Sequence, residues 1–162
     1  MSPGSNRLER PQLAPEGPSR RPLGPVLSFM RALWGVNHGL ERTSRRMKTS
    51  IGVTGPERMV IRLVGRYPAI SAGELARILR VHPSTLTGLL KRLARRGLLL
   101  RAVDSSDARR ALFTLTSKGA AVDKMRRGTV EAAVTAALDS LHERDVRAAA
   151  AVLDAVASAM EW

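Results

Sequence analysis

The apolar positions of this 162-residue chain divide it into helices and one short region of strand-like composition. From Pro25 to about Thr49, apolar residues recur every three or four positions, which predicts one long helix. Thr54 followed three residues later by Glu57 forms a capping box, in which each residue satisfies a backbone N–H of the other. A second helix is therefore expected to begin there and to end just before Pro68.

Two short helices joined by a tight turn are predicted next. Ser71 and Glu74 repeat the capping-box spacing and begin the first of them. Pro83 suits the first turn of the second helix, whose leucines keep helical spacing until Gly97 provides a C-terminal cap. Two helices with so short a connection indicate a helix-turn-helix.

A β-hairpin is predicted immediately after this motif. Residues 98–103 and 111–115 have strand composition, and the intervening Asp-Ser-Ser-Asp of residues 104–107 is typical of a turn. Arg109 and Arg110 lie just beyond that turn, so the hairpin has a basic tip. The expected fold class is mainly α with a small β-hairpin wing, a winged helix-turn-helix, and most winged helices bind DNA.

Two alanine-rich helices are predicted beyond the wing. One is capped by Thr116 and runs to about Leu141, and the other runs from Glu143 to about Met160. Alanine favours helix and allows helices to approach closely. The apolar stripes of these helices and of the first helix would stay wet in a monomer, which favours a second copy as partner.

The charge distribution indicates a polyanionic partner. The formal net charge is +13, and between Ser71 and Gly119 ten basic residues stand against three acidic ones. Beyond Gly119, seven acidic residues exceed five basic ones. Positive charge concentrated on the helix-turn-helix and wing is the footprint of a nucleic-acid surface. A merely solvated basic face is the alternative, but it does not explain why the bases coincide with the motif.

Composition argues against several other classes of protein. Cysteine is absent, which excludes disulfides and thiolate metal sites, and the three histidines lack metal-ligand spacing. No nucleophile elbow or phosphate-binding glycine loop is present, so neither an enzyme nor a cofactor is expected. Neither a signal peptide nor a membrane-spanning apolar run appears, which predicts a soluble, cytoplasmic protein.

The helix-turn-helix and the wing resemble the MarR family of bacterial regulators. The likeness is carried by residues 73–76 (Gly-Glu-Leu-Ala), 83–87 (Pro-Ser-Thr-Leu-Thr) and 93–98, and by Asp107-Ala108-Arg109 followed by Leu115-Thr116 and Gly119. Phe113 departs from the family, which usually has a smaller β-branched residue there. The resemblance implies a homodimeric transcription regulator, often a repressor that a small ligand releases.

The domain organisation follows from the resemblance and from composition. Residues 1–24 are rich in Pro and Arg and are expected to form a disordered tail. Residues 25–162 resemble one MarR domain, in which 25–50 and 117–162 would be dimerisation helices interlocked across a two-fold axis. Residues 54–116 would be the DNA-binding winged helix.

Candidate DNA contacts lie on the second helix of the motif and on the wing. The outward face of that helix combines short polar side chains for base edges with basic ones for phosphates, as a major-groove helix needs. By the resemblance, Arg109 corresponds to the family's minor-groove arginine, and Asp107 would hold its guanidinium by a charge-assisted pair. Arg110 is the alternative to Arg109, because the sequence alone does not say which of the two arginines faces the minor groove. The candidates are Ser84, Thr85, Thr87, Gly88, Lys91, Arg92, Asp107, Arg109 and Arg110.

A candidate effector site involves the first two helices. Trp34 and His38 lie one helical turn apart and share a face. Together with Arg31, and with Arg62 or Arg66 of the second helix, they could receive an anionic aromatic ligand. The alternative is that Trp34 is a core residue.

Two hypotheses for the whole chain remain. The first is a ligand-released, DNA-binding homodimer on a palindromic operator. The second is an architectural or protein-interaction winged helix that has neither an effector nor a strong sequence preference. The ratio of binding to specific and to random DNA distinguishes them, because both would bind DNA at low salt.

Overall fold

The computed structural model describes residues 22–160, so the tail predicted for residues 1–24 lies almost wholly outside the described residues. The chain divides into two units, residues 1–34 and 35–162. Its elements are α1 (Pro25–Ser50), α2 (Gly55–Arg66), β1 (Ile70–Ser71), α3 (Ala72–Leu79), α4 (Pro83–Arg95), β2 (Leu99–Val103), β3 (Ala111–Leu115), α5 (Ser117–Lys124), α6 (Val130–Leu138) and α7 (Glu143–Ala159). The predicted fold class is confirmed.

Both predicted capping boxes are present, and they begin α2 and α3. The Thr54 hydroxyl accepts a hydrogen bond from the N–H of Glu57 (3.3 Å), whose carboxylate accepts from the N–H of Thr54 (2.9 Å). Ser71 and Glu74 repeat this arrangement at 3.2 and 2.9 Å. These side chains satisfy N–H groups that a first helical turn leaves without partners, so local sequence alone fixes where the helices begin.

The wing belongs to a three-stranded antiparallel sheet of order β1-β3-β2. Strands β2 and β3 pair from Leu99 with Leu115 to Val103 with Ala111, as expected for the hairpin. Strand β1 was not predicted, and its Ile70 pairs with Phe113. A strand of two residues is too short to show an alternating pattern, so sequence periodicity does not reveal it.

The hydrophobic core lies in the middle of the chain. Among the described residues, every buried apolar side chain falls between Met47 and Val122, and Leu75, Leu86 and Leu93 are among those almost fully enclosed. Helices α6 and α7 contribute no buried residue. The core therefore joins α2, the helix-turn-helix and the sheet, and it fixes α4 against the wing strands.

The single helix predicted from Thr116 to about Leu141 is wrong. Helix α5 ends at Lys124 and α6 begins at Val130. Between them Gly128 has a φ of +71°, a left-handed conformation that is readily available to glycine. The C-terminal region is thus three helices rather than two.

The break after α5 is held by Arg58, a residue of α2. Its guanidinium is buried and donates to the carbonyl oxygens of Val122, Asp123 and Met125. In a continuing helix those carbonyls would accept from backbone N–H groups four residues later. Its Nε lies 2.8 Å from the carboxylate of Glu131, which also ties α6 to α2. The cause of the break is therefore a side chain far away in sequence.

Candidate nucleic-acid interface

Helix α4 has the two faces that the sequence predicted. Leu86, Leu90 and Leu93 are buried in the core, whereas Leu89 is partly buried. The opposite face is open to solvent, and it carries Ser84, Thr85, Thr87, Gly88, Lys91 and Arg92. The exposed face is therefore available to an external partner along the whole length of the helix.

The hydroxyl groups at the start of α4 differ in what they can still bind. His82 is the N-cap, and its Nδ1 accepts from the N–H of Ser84 (3.3 Å) and lies 2.8 Å from the Ser84 hydroxyl. Thr87 donates its hydroxyl to the carbonyl of Pro83 (2.8 Å). Within residues 22–160, the Thr85 hydroxyl makes no hydrogen bond. Thr85 can therefore both donate to and accept from a base edge, while Thr87 is left to accept.

Basic side chains surround the buried carboxylate of Glu57 near the C-terminal end of α4. The Glu57 side chain is only 6% exposed, and its oxygens lie 3.1 Å from Arg96, 3.9 Å from Lys48 and 4.0 Å from Arg92. Arg96 also donates to the carbonyl of Gly52 in the loop between α1 and α2. The end of the candidate recognition helix is thereby joined to α1, to α2 and to their connection.

The surroundings of Glu57 favour its charged form. Burial raises its pKa, but the hydrogen bond from the N–H of Thr54 and the positive charges of Lys48 and Arg96 outweigh this effect. The pKa of Glu57 consequently lies below its ordinary value of 4.5. Arg92, a candidate phosphate contact, shares this carboxylate, whereas no carboxylate within the described part of the chain pairs with Lys91.

Arg109 and Arg110 of the wing, which the sequence could not distinguish, have different surroundings in the structure. The predicted ion pair between Asp107 and the Arg109 guanidinium is not present. Asp107 instead accepts from the backbone N–H of Arg109 (3.0 Å), because a short aspartate side chain in a turn readily reaches the N–H two residues on. The Arg109 side chain is exposed and has no ion pair within residues 22–160. Arg110, by contrast, lies 3.6 Å from Glu74.

The residues of the candidate effector site are spread over α1 and α2. Trp34 is 73% exposed, so it is not a core residue of the single chain. Arg31, His38 and Arg66 are also exposed. Arg62 is engaged by acids of its own chain, because it lies 2.8 Å from Asp123 and 3.7 Å from Glu131. The proposed grouping of these residues around a ligand stays a prediction.

Two cavities were not predicted from the sequence. One, of about 550 Å³, lies between α1, α2 and α6 and is lined mainly by apolar atoms of residues such as Leu40, Pro56 and Met59. The other, of about 520 Å³, lies between α4 and the sheet. Its lining includes Leu90, Phe113 and three alanines, with Lys91, Arg95 and Arg101 as its cations, and Thr87. Each wall comes from segments far apart in sequence, so local patterns gave no signal.

Within residues 22–160, no helix is both long enough and apolar enough to cross a membrane. No group of three or more metal-ligating side chains comes together in the same residues.

Comparison with the sequences of known proteins gives a consistent result. The model of the MarR family matches residues 53–111. An HTH-type transcriptional repressor of Mycobacterium tuberculosis is 32% identical over 100 residues, which cover 60% of this chain and 72% of that repressor. An HTH-type transcriptional repressor of Mycobacterium bovis gives the same values.

Solved structures of the same architecture include complexes with DNA and with ligands. The S. aureus MepR–DNA complex superposes with a TM-score of 0.68 at 18% identity, covering 82% of this chain and 98% of that one. The PcaV transcriptional regulator of Streptomyces coelicolor, in complex with its natural ligand, has a TM-score of 0.65 at 25% identity, covering 82% and 92%.

Proposed function

The chain belongs to the MarR family of DNA-binding transcriptional regulators, and on that premise we propose that it is a homodimeric repressor on a palindromic operator, released by a small anionic ligand. It is a regulator and not an enzyme. The observation that carries the proposal is the exposed face of α4 and the exposed wing, which offer hydroxyls together with Lys91 and Arg109, neither of which has an ion pair among residues 22–160. A cytoplasmic location follows from the DNA partner and is part of the same proposal.

In the proposed complex, α4 lies in the major groove and the wing reaches the minor groove. The hydroxyls of Thr85 and Thr87 face base edges, and Lys91 meets phosphates further along the helix. Arg109 enters the minor groove, where a narrow groove concentrates negative potential. Its guanidinium can do so without first breaking an ion pair among the described residues.

The proposed dimer uses α1, α6 and α7. Large apolar side chains of these helices are exposed in the single chain: Val26, Leu27, Phe29, Met30, Trp34, Val36, Leu40, Val134, Leu138, Val152 and Leu153, with Leu141 and Met160 directly beyond α6 and α7. Exposed apolar side chains in such number are typical of an interface. A two-fold dimer would copy its symmetry onto DNA as an inverted repeat, with half-sites about one helical turn, ~10 bp, apart.

The cavity behind α4 suits the proposed effector better than the α1–α2 residues do. It combines an apolar floor that includes Phe113 with the cations Lys91, Arg95 and Arg101. An aromatic carboxylate would bury its ring on that floor and pair its charge with the rim. Because Lys91 belongs to both the cavity and the exposed surface of α4, a bound anion would withdraw it from DNA phosphates.

The DNA-binding proposal is tested by sequencing the genomic fragments that the protein captures. Binding to a captured fragment and to its scrambled version is then measured at near-physiological salt, because low salt hides specificity. We expect a shared inverted repeat and much tighter binding to the captured fragment. Equal binding to both, without a common repeat, would instead establish the architectural module.

The effector proposal is tested with a benzoate-type aromatic acid as the probe. The acid should release wild-type protein from its operator, and Arg101→Ala should require a higher concentration of it. Arg66→Ala, which removes one exposed charge from the predicted α1–α2 site, serves as the matched control and should respond like wild type. The reverse pattern would move the effector to the α1–α2 residues.

A further inference from the structure

Arg110 differs from Arg109, its neighbour in the wing, because carboxylates of two different parts of the fold lie beside its guanidinium. We propose that Arg110 is a positioning residue, which ties the wing to the start of α3 and thereby sets the reach of Arg109 toward DNA. The inference rests on the proposed wing contact, and it assigns Arg110 no contact of its own with a base or phosphate. It would make the wing a prepositioned probe rather than a loose loop.

The tie consists of two ion pairs that converge on one guanidinium. Arg110 Nη2 lies 3.6 Å from Oε2 of Glu74, and Arg110 Nε lies 3.8 Å from Oδ2 of Asp104. Glu74 belongs to the first turn of α3, whereas Asp104 directly follows strand β2. The guanidinium therefore spans the gap between the helix-turn-helix and the hairpin.

Both carboxylates are held in place by hydrogen bonds of their own. Oε2 of Glu74 accepts from the N–H (2.9 Å) and hydroxyl (2.6 Å) of Ser71, a buried residue that also belongs to β1. Oδ1 of Asp104 accepts from the N–H (2.9 Å) and hydroxyl (2.7 Å) of Ser106. These hydrogen bonds, together with the charge of Arg110, lower the pKa of both carboxyls. The two acids are thus charged and fixed partners near neutral pH.

The backbone of Arg110 also closes the tip of the wing. Its carbonyl accepts from the N–H of Asp104 (3.0 Å), and its N–H donates to the carbonyl of Asp107 (2.9 Å). Arg109 is the neighbouring residue within this closed turn, and its side chain is exposed. Any movement of Arg110 is therefore transmitted directly to the backbone from which the proposed minor-groove probe extends.

The contribution of this tie is expected in DNA binding rather than in folding. Exposed ion pairs add little to the stability of a fold, and the side chains of Glu74 and Arg110 are about half exposed. A probe already held in its bound orientation, however, loses less freedom on binding than a loose one. Variants should keep the fold and lose affinity for DNA.

Glu74→Gln gives a test in which two explanations predict opposite signs. Glutamine keeps the capping role with Ser71 but loses the charge that holds Arg110. Electrostatics alone predicts tighter binding, because a negative charge beside DNA is removed. The tie predicts weaker binding, by about threefold to tenfold, on an operator with A/T-rich flanks. Glu143→Gln on α7 is the matched control and should leave affinity unchanged.

Arg110→Gln and the double variant complete the measurement. If Arg110 acts through Glu74, Arg110→Gln should weaken binding on the same A/T-rich flanks, and adding Glu74→Gln should weaken it no further. A direct phosphate contact by Arg110 would instead make the loss independent of the flanks. Tighter or unchanged binding by Glu74→Gln would overturn the proposal.

Arg109→Ala, measured in parallel, separates this inference from the function on which it rests. It should lose affinity on A/T-rich flanks and much less on G/C-rich ones, because A/T-rich minor grooves attract arginine. If it does so while Glu74→Gln binds as well as wild type, the tie is wrong and the wing contact stands. If Arg109→Ala loses nothing on either flank, the wing lies outside the binding site and both ideas fall.

Discussion

The winged helix and the helices at the two ends of the chain have the same helical periodicity but opposite burial. Among described residues, the winged helix and its neighbours α2 and α5 hold nearly all of the buried apolar side chains. On the end helices, Val26 is 71% exposed and Leu153 is 48% exposed. An apolar stripe therefore predicts a helix, but the chain's own packing decides whether that helix is covered from within or needs a partner.

The largest expected effect tests the end helices, whose apolar side chains are exposed in the single chain. Leu138→Glu on α6 should convert the proposed dimer to a monomer, as measured by sedimentation at micromolar concentration. Each of two symmetric copies would lose about 1.5–3 kcal/mol of burial and would place a carboxylate in an apolar interface. Leu100→Glu, at an exposed leucine of β2 outside the proposed interface, should keep the dimer mass. A Leu138→Glu dimer would remove α6 from the interface.

The next effect concerns the junction between the two regions. Arg58→Met should lower the free energy of unfolding by about 3–5 kcal/mol, because it removes the buried partner of the Glu131 carboxylate and one donor from each of three carbonyls. Arg62→Met is the control, since its side chain is 37% exposed against 2% for Arg58, and it should lose about 1 kcal/mol or less. Urea unfolding at one fixed protein concentration measures both. Equal losses would contradict a special role for Arg58.

A smaller effect tests the buried charge of Glu57, which lies in the part of the chain that forms the core. Glu57→Gln keeps the capping box but loses the ion pairs with Lys48 and Arg96, and it should lose about 1–3 kcal/mol near neutral pH. Because the folded pKa of Glu57 is lowered, its charge stabilises the fold above the ordinary value of 4.5 and stops doing so as pH falls through the lower folded value. The difference from wild type should therefore shrink as urea unfolding is repeated at acidic pH. A constant difference would point to packing instead.

The smallest effect concerns the proposed phosphate contacts on the exposed face of α4. Lys91→Ala should reduce the slope of log affinity against log salt by about one unit per subunit, and it should do so on every sequence. Arg92→Ala should reduce it less, because the Arg92 guanidinium is shared with Glu57. Titration of the operator at several salt concentrations gives both slopes. A larger change for Arg92 would show that DNA draws it away from Glu57.

Local signals explain why so much of the winged helix was predictable. Ser71 and Glu74 are three residues apart, and their hydrogen bonds form within one turn, so the start of α3 follows from sequence alone. The hairpin strands and the exposed face of α4 follow equally from short-range patterns. Each of these correctly predicted features depends on residues that are close together in the sequence.

Long-range contacts explain what was missed. Strand β1 exists because β3 returns to it, and the break after α5 exists because Arg58 reaches it from α2. Long-range contacts also decide the difference between Arg109 and Arg110, which look equivalent in the sequence. Only the approach of Glu74, from a different element, distinguishes them.

Arg58 also decides where the molecule can be divided. The predicted winged helix, residues 54–116, contains this arginine but none of its partners, which lie between Val122 and Glu131. A fragment cut after the wing would lose every described partner of Arg58 and would expose the apolar side chains that Val122 of α5 covers, so we expect the smallest stable unit to extend past Glu131. The winged helix is therefore not expected to work as a free-standing module that can be exchanged between regulators, because part of its packing comes from the helices that follow.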